Sequence, residues 1–379
     1  MTNQLPNSGD SMRYPAIIVD HARLRDNVEK ICRRCADTGI FVAGVIKGAS
    51  GMVSVAEDFV AGGAKMIASS RLEQLKRCKE AGISVPLLMI RVPMLSELDE
   101  LVETAEYSLN SELRVLRALN ETAAAHGVVH KVILMADLGD LREGYFDHGE
   151  LVDAARIVEN ELGSLELAGI GTNLGCYGSV MATEDKMQQL ADLAVLVEEA
   201  VGHELEIVSG GATSSLMGVF SGYMPKKINM LRIGAGILAG PLEDMRTCYG
   251  YTEMDELNDD VFTLETQVIE KKRKASHPIG KLGVDAFGKK QTYTDRGERM
   301  RALVAIGRAD YGDIADLVPT VEGMEIIGAS GDHTILDIED VKEAVEVGDI
   351  ITFKLKYSAI LRITGSENVW IYERSGQAE

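Results

Sequence analysis

Between residues 40 and 240 the chain repeats one hydropathy pattern, a short apolar run followed by a longer amphipathic stretch. The runs fall at 41–46, 65–68, 86–90, 107–109, 129–136, 165–171, 204–208 and 229–233. Between most of them, in stretches such as RLEQLKRCKEAG and EDKMQQLADLAVLVEEAVG, apolar residues recur at i, i+3, i+4 and i+7. That spacing lines one face of a helix. Gly82, Gly127 and Gly202 stand where a left-handed helix stop is expected. Strands alternating with helices eight times predict a (β/α)8 TIM-type barrel over residues 21–242. A doubly wound sheet would have the same element order, because periodicity does not count closure.

After Pro241 the pattern changes. Residues 243–260 (EDMRTCYGYTEMDELNDD) form an acidic, turn-rich connector. Beyond it come VFTLETQVIEKK, RALVAIG, EIIGAS, HTILDI, DIITFKL and AILRI, read as half-buried antiparallel strands with little helix. They predict a mostly-β C-terminal domain over 261–379. In the N-terminal segment 1–20, YPAIIVD is a lone strand expected to pair with that domain. Apolar residues make up 46% and charged residues 26%, the balance of a soluble globular chain. With 39 Lys+Arg against 59 Asp+Glu the net charge is −20, which argues against nucleic acid as a partner. No apolar run reaches the roughly 18–20 residues of a membrane span, and the start, MTNQLPNSGDSMR, is not a signal peptide. The expectation is a cytoplasmic protein without a disulfide framework. Cys32 and Cys35 form a C-x-x-C inside the helical VEKICRRCA, without the turn chemistry of a redox pair. The 16 methionines are read as core filling, and His21, His126, His130, His148 and His203 as surface residues. The basic run 270–274 is read as a solvated strand end, and Trp370 as part of a terminal strand.

In a parallel barrel, chemistry collects at the C-terminal ends of the strands. The first run, FVAGVIK, ends in Lys47. An ammonium closing an apolar strand is costly to desolvate unless it is used or paired, although a strand-end lysine can also simply reach solvent. The fifth run leads into Leu141, Arg142, Glu143 and Gly144, and the sixth into Asn173, Cys176 and Tyr177. The seventh gives SGGATSS, and the eighth, LRIGAGI, carries Arg232 within an apolar strand. Glycine-freed amides with the hydroxyls of Thr213, Ser214 or Ser215 suit a phosphate, which barrels commonly bind after strands seven and eight. Together with Lys47 they point to pyridoxal phosphate. A non-enzymatic barrel binding a sugar phosphate would use the same loops without Lys47.

The motifs FVAGVIKGASG, LREG, GTNLGCYG, SGGATSS and NMLRIGAGI, in this order, resemble the fold-type III pyridoxal phosphate enzymes related to alanine racemase, in particular the ornithine racemase-like branch. The resemblance spans nearly the whole chain. It implies that Lys47 is the Schiff-base lysine and one proton carrier, and that Arg232 faces the pyridine nitrogen. It further implies that Thr213, Ser214, Gly234, Ala235 and Tyr357 hold the phosphate. By the same resemblance Arg142 would lie near the phenolic oxygen, and Asn173 stands where alanine racemases have a histidine. An amino acid, ornithine first and then lysine, alanine or another small one, would be racemised by two bases in a homodimer with shared active sites.

The departures are specific. After the lysine the family reads K-A-N-A-Y-G, whereas this chain reads Lys47-Gly48-Ala49-Ser50-Gly51. The partner-subunit tyrosine that serves as second base falls nearest Phe287, in IGKLGVDAFG, which cannot transfer a proton. Asp285 is the substitute candidate, its other reading being a turn aspartate; Cys176 is a further one. GASGDHTILDI resembles the substrate-carboxylate loop, with Gly331 and Asp332 as contacts. Within the same superfamily, a carrier protein would end near residue 240, and a decarboxylase would replace Arg232 with a carboxylate. A metal-assisted aldolase would need a His-x-Asp or His-x-Cys pair that His277 and His333 do not supply, so no metal is expected.

Overall fold

The computed structural model describes residues 11–241, 243–285 and 287–375. The first ten residues of the 1–20 segment, Leu242 and Ala286 lie outside them. Two compact units result: Leu24–Leu257, and the chain up to Arg23 joined with the residues from Asn258 on.

The first unit is a closed parallel barrel. After β1 (Ala16–Asp20), its strands are β2 (Phe41–Val45), β3 (Met66–Ser69), β4 (Leu87–Met89), β5 (Tyr107–Asn110), β6 (His130–Met135), β7 (Leu165–Gly171), β8 (Ile207–Ser209) and β9 (Met230–Ile233). Each pairs with the next, and β9 returns to β2 with Phe41 opposite Met230. Closure excludes the doubly wound alternative. Alternate residues of the strands fill the interior, among them Ala43, Val45, Met66, Ala68, Leu109, Ile133 and Met135. At Gly169 a Cβ would sit 1.8 Å from the carbonyl oxygen of Ile207, so β7 and β8 approach there only through glycine. Gly82, Gly127 and Gly202 have φ of +79°, +67° and +86°, the left-handed stops expected of them.

The second unit is a sheet of eight strands. Its members are β10 (Phe262–Ala275), β11 (Glu298–Val304), β12 (Leu317–Pro319), β13 (Glu325–Ala329), β14 (Thr334–Asp337), β15 (Ile350–Leu355) and β16 (Trp370–Arg374), with β1. The order is β12-β15-β10-β11-β14-β13, and β1 pairs antiparallel with β10 and parallel with β16. AILRI is not a strand. It belongs to the helix Tyr357–Ile363, where Ala359, Ile360 and Ile363 are the buried residues. Their spacing is helical, and the five-residue run is too short to separate the two periods. No helix among the described residues is long and apolar enough to cross a membrane.

Two histidines read as surface residues are buried. His21 opens the first helix, and His130 opens β6 at 2% exposure, with Nε2 2.9 Å from the Ser108 hydroxyl. Burial pushes the His130 imidazole down to about 4 from its ordinary 6.5. As pH falls below about 6.5 the unfolded chain takes up a proton that the folded chain refuses until about pH 4. This group's contribution is therefore complete above that window and falls by about 3 kcal/mol across it. Urea midpoints at pH 7.5 and 4.5 check this: His130→Gln should lose less stability between the two than the parent chain, and equal losses would contradict it.

Candidate active site

The barrel unit gathers eight of the sequence candidates at the C-terminal ends of its strands. Lys47 opens a 3-10 turn, Lys47–Ala49, just past β2. It is half-buried, and burial lowers its pKa, as do the positive charges of Arg142 and Arg232; Cys176 and Glu143 act in the opposite direction. More of the amine is therefore neutral at a given pH than for a solvated lysine.

Arg232 lies within β9 at 4% exposure. Its guanidinium donates to the Ser209 hydroxyl at the end of β8 and, at 2.9 Å, to the Thr172 carbonyl after β7. Burial lowers its pKa to about 10, so it stays protonated at neutral pH.

Arg142 follows β6 in a sharp turn. Gly139 and Leu141 donate their N–H groups to Asp137 at 2.8 and 3.1 Å, and Leu141 takes φ of +57°, rare for a branched side chain. The Arg142 guanidinium grips both oxygens of Glu143, with Nη2 to Oε1 at 2.6 Å. That contact, more than any other, raises the Arg142 pKa. Glu143 stands in the sequence as an ordinary loop residue. Its charge acts on Lys47 and Arg232 as well, which makes it the counter-charge of a three-cation cluster.

The turns after β8 and β9 sit together. The Gly236 N–H donates to Thr213 Oγ1 at 3.2 Å, and a Cβ on Gly236 would come within 2.8 Å of Thr213 Cγ2. Thr213 keeps its hydroxyl proton to donate, whereas the Ser214 hydroxyl donates to the Leu174 carbonyl and that of Ser215 to Gly210, both at 2.7 Å. The N–H groups of Ser214, Gly234 and Ala235 take no acceptor among the described residues. Asn173 is buried, and its Nδ2 has no hydrogen-bond partner. Cys176 is a free, exposed thiol. Burial pushes the Cys32 and Cys35 thiols up to about 12, which keeps that pair inert.

The remaining candidates belong to the β unit. Asp285 holds a turn: its carboxylate accepts from the N–H groups of Phe287 and Lys289, at 2.9 and 2.8 Å, and from Gln291 Nε2 at 2.6 Å. The Gln291 contact leads in holding its pKa below the ordinary carboxylate value. Phe287 lies against the Arg308 guanidinium, 4.1 Å from its ring centre. The Gly331 carbonyl accepts from Ala309 N at 3.1 Å, and Asp332 is exposed. Tyr357 opens the helix Tyr357–Ile363. Among the described residues no cluster of His, Cys, Asp and Glu could hold a metal ion.

Residues 19–240 match the family model described as alanine racemase, N-terminal domain. The chain is 40% identical over 356 residues to an ornithine racemase of Acetoanaerobium sticklandii, covering 94% of this chain and 98% of that protein. It is 36% identical over 365 residues to a lysine racemase of Thermotoga maritima, covering 96% and 100%. An alanine racemase structure from Streptomyces lavendulae superposes with a TM-score of 0.76 at 19% identity, over 97% of this chain and 99% of that one.

Because Glu143 raises the Lys47 pKa, Glu143→Gln should lower it further. The pH at which Lys47 becomes half-reactive toward an amine-labelling reagent, followed by mass spectrometry, should move down; an unchanged or higher midpoint would contradict the charge balance described.

Proposed function

The chain belongs to the alanine racemase family and is an amino-acid racemase, and we propose that it interconverts L- and D-ornithine by a two-base mechanism with pyridoxal phosphate as cofactor. The observation that carries this is the pairing, at one barrel mouth, of a half-buried lysine with lowered pKa and a buried, protonated arginine.

The residues present fit the cofactor. The Thr213 hydroxyl and the unengaged N–H groups of Ser214, Gly234 and Ala235 suit a phosphate, with Ser214 contributing its backbone because its hydroxyl is engaged. The buried Asn173 Nδ2, which has no hydrogen-bond partner, suits a polar group of the ring. Tyr357 is assigned to the phosphate and Arg142 to the phenolic oxygen.

When bound, pyridoxal phosphate supplies the electron sink that acidifies the substrate's α-hydrogen. Arg232 can donate hydrogen bonds but not a proton, so it suits a ring nitrogen that stays unprotonated and favours return of the α-proton over side reactions. Lys47 Nζ, neutral more readily than a solvated lysine, takes or returns the α-proton on one face. Asp285 is assigned to the other face, with the handicap that three donors already hold its carboxylate. Gly331 and Asp332 are the contacts assigned to the substrate's carboxylate and amino ends, and a homodimer is the proposed assembly. Ornithine leads because the more similar of the two relatives above is an ornithine racemase, and lysine comes second.

The test is a panel of L-amino acids with protein and pyridoxal phosphate in deuterated water, followed by NMR and chiral chromatography. Ornithine should lose its α-proton signal and yield the D-isomer; no exchange with any amino acid would overturn the reading. Lys47→Ala should lower the rate by about 10³-fold or more. Asp285→Asn should still exchange the α-proton of one enantiomer while forming little of the other, and unimpaired racemisation would leave Asp285 as the turn residue its hydrogen bonds describe.

A further inference from the structure

Asp140 is 1% exposed and lies in the turn after β6, one residue before the left-handed Leu141 and two before Arg142. Its carboxylate accepts from backbone N–H groups of a different loop, the one after β7. Oδ1 takes Gly175 N at 3.0 Å and Val180 N at 3.2 Å, and Oδ2 takes Tyr177 N at 3.0 Å. The two loops are in close contact there, since a Cβ on Gly178 would lie 2.7 Å from the Asp140 carbonyl oxygen. Burial by itself would raise the Asp140 pKa, but the N–H groups of Tyr177, Val180, Gly175 and Gly178 hold it below the ordinary value. The group is a charged carboxylate facing amide dipoles.

The loop it grips carries Asn173 and Cys176. At Leu174 the same loop accepts the Ser214 hydroxyl at 2.7 Å, and Thr213 next to Ser214 accepts Gly236 N at 3.2 Å. Hydrogen bonds thus tie the turn that carries Arg142 to the loop after β7, that loop to the turn after β8, and that turn to the one after β9, and among the bonds between these loops Asp140 is the charged acceptor. A charged, buried acceptor is a stronger partner for these amides than a neutral one, so it can fix the loop's position.

We propose that Asp140 is a positioning residue, whose buried carboxylate fastens the loop after β7 to the turn after β6 and so fixes Asn173 relative to Arg142. Its kinetic consequence rests on the function proposed above; its structural consequence does not. An asparagine in its place keeps the size but presents an NH2 group to one of the amides it should accept from.

The experiment compares the parent chain, Asp140→Asn and Asp140→Glu by hydrogen–deuterium exchange without added cofactor, and by fluorescence titration with pyridoxal phosphate. Asp140→Asn should speed exchange in peptides covering 173–181 by about tenfold or more, leave peptides of β2–β5 unchanged, and weaken cofactor binding about tenfold. Asp140→Glu keeps the charge but displaces the oxygens, so it should show the same local loosening if Asp140→Asn fails to fold. Unchanged exchange in 173–181 overturns the proposal. So does faster exchange with unaltered cofactor affinity, which would make Asp140 a structural residue only. A parent chain that binds no pyridoxal phosphate overturns the function proposed above, while the exchange comparison still decides whether Asp140 fastens the loop.

Discussion

A guanidinium inside a closed barrel is the constraint around which this site is organised. Leaving such a charge buried and unpartnered would cost several kcal/mol. Arg232 avoids this by reaching across two neighbouring strands, to the Ser209 hydroxyl and the Thr172 carbonyl. Both partners are neutral, so the positive charge is solvated without being cancelled. The ends of β7, β8 and β9 must keep their relative heights for those contacts to survive. Gly169, where two backbones meet too closely for any side chain, is part of what sets those heights.

That uncancelled charge shapes the rest of the mouth. Lys47, Arg142 and Arg232 stand within electrostatic reach of one another, with Glu143 as the side-chain carboxylate that offsets them. Asp137 Oδ1 and both oxygens of Asp140 accept backbone N–H groups and so shape loops, and the Asp140 charge also acts on Arg142. Positive charge in excess of its fixed counter-ions suits anionic guests, such as the phosphate and carboxylate of the function proposed above. The overall charge of −20 does not reveal this, because a net charge sums the whole chain and says nothing about one pocket.

What was legible in the sequence follows from what stands out against its surroundings. The barrel was readable because buried strands and amphipathic helices differ in period as well as composition. Lys47 and Arg232 were readable because a cation inside an apolar run is anomalous. Asp140 and Glu143 were not, since aspartate and glutamate in a loop are ordinary and their partners are distant in sequence or belong to the backbone. His130 looked like a surface residue because nothing near it in the chain announces Ser108. The helix at Tyr357–Ile363 was hidden in a run too short to show its period. Asp285 shows the opposite difficulty: proximity to a family motif drew attention to a residue whose hydrogen bonds are those of a turn.

The place of β1 in the sheet bears on how the chain is made. It lies between β10 and β16, the first strand among the described residues beside the last, with Ala16 opposite both Glu265 and Trp370. All of the barrel is therefore translated after β1 and before either neighbour exists. During that interval β1 presents two unsatisfied edges, and it is apolar and buried in the finished unit. The β unit cannot close until β16 has been made, whereas the barrel, continuous in sequence, can fold beforehand. Synthesis thus imposes an order of assembly on the two units, and the exposed first strand is the segment for which a chaperone would have most use.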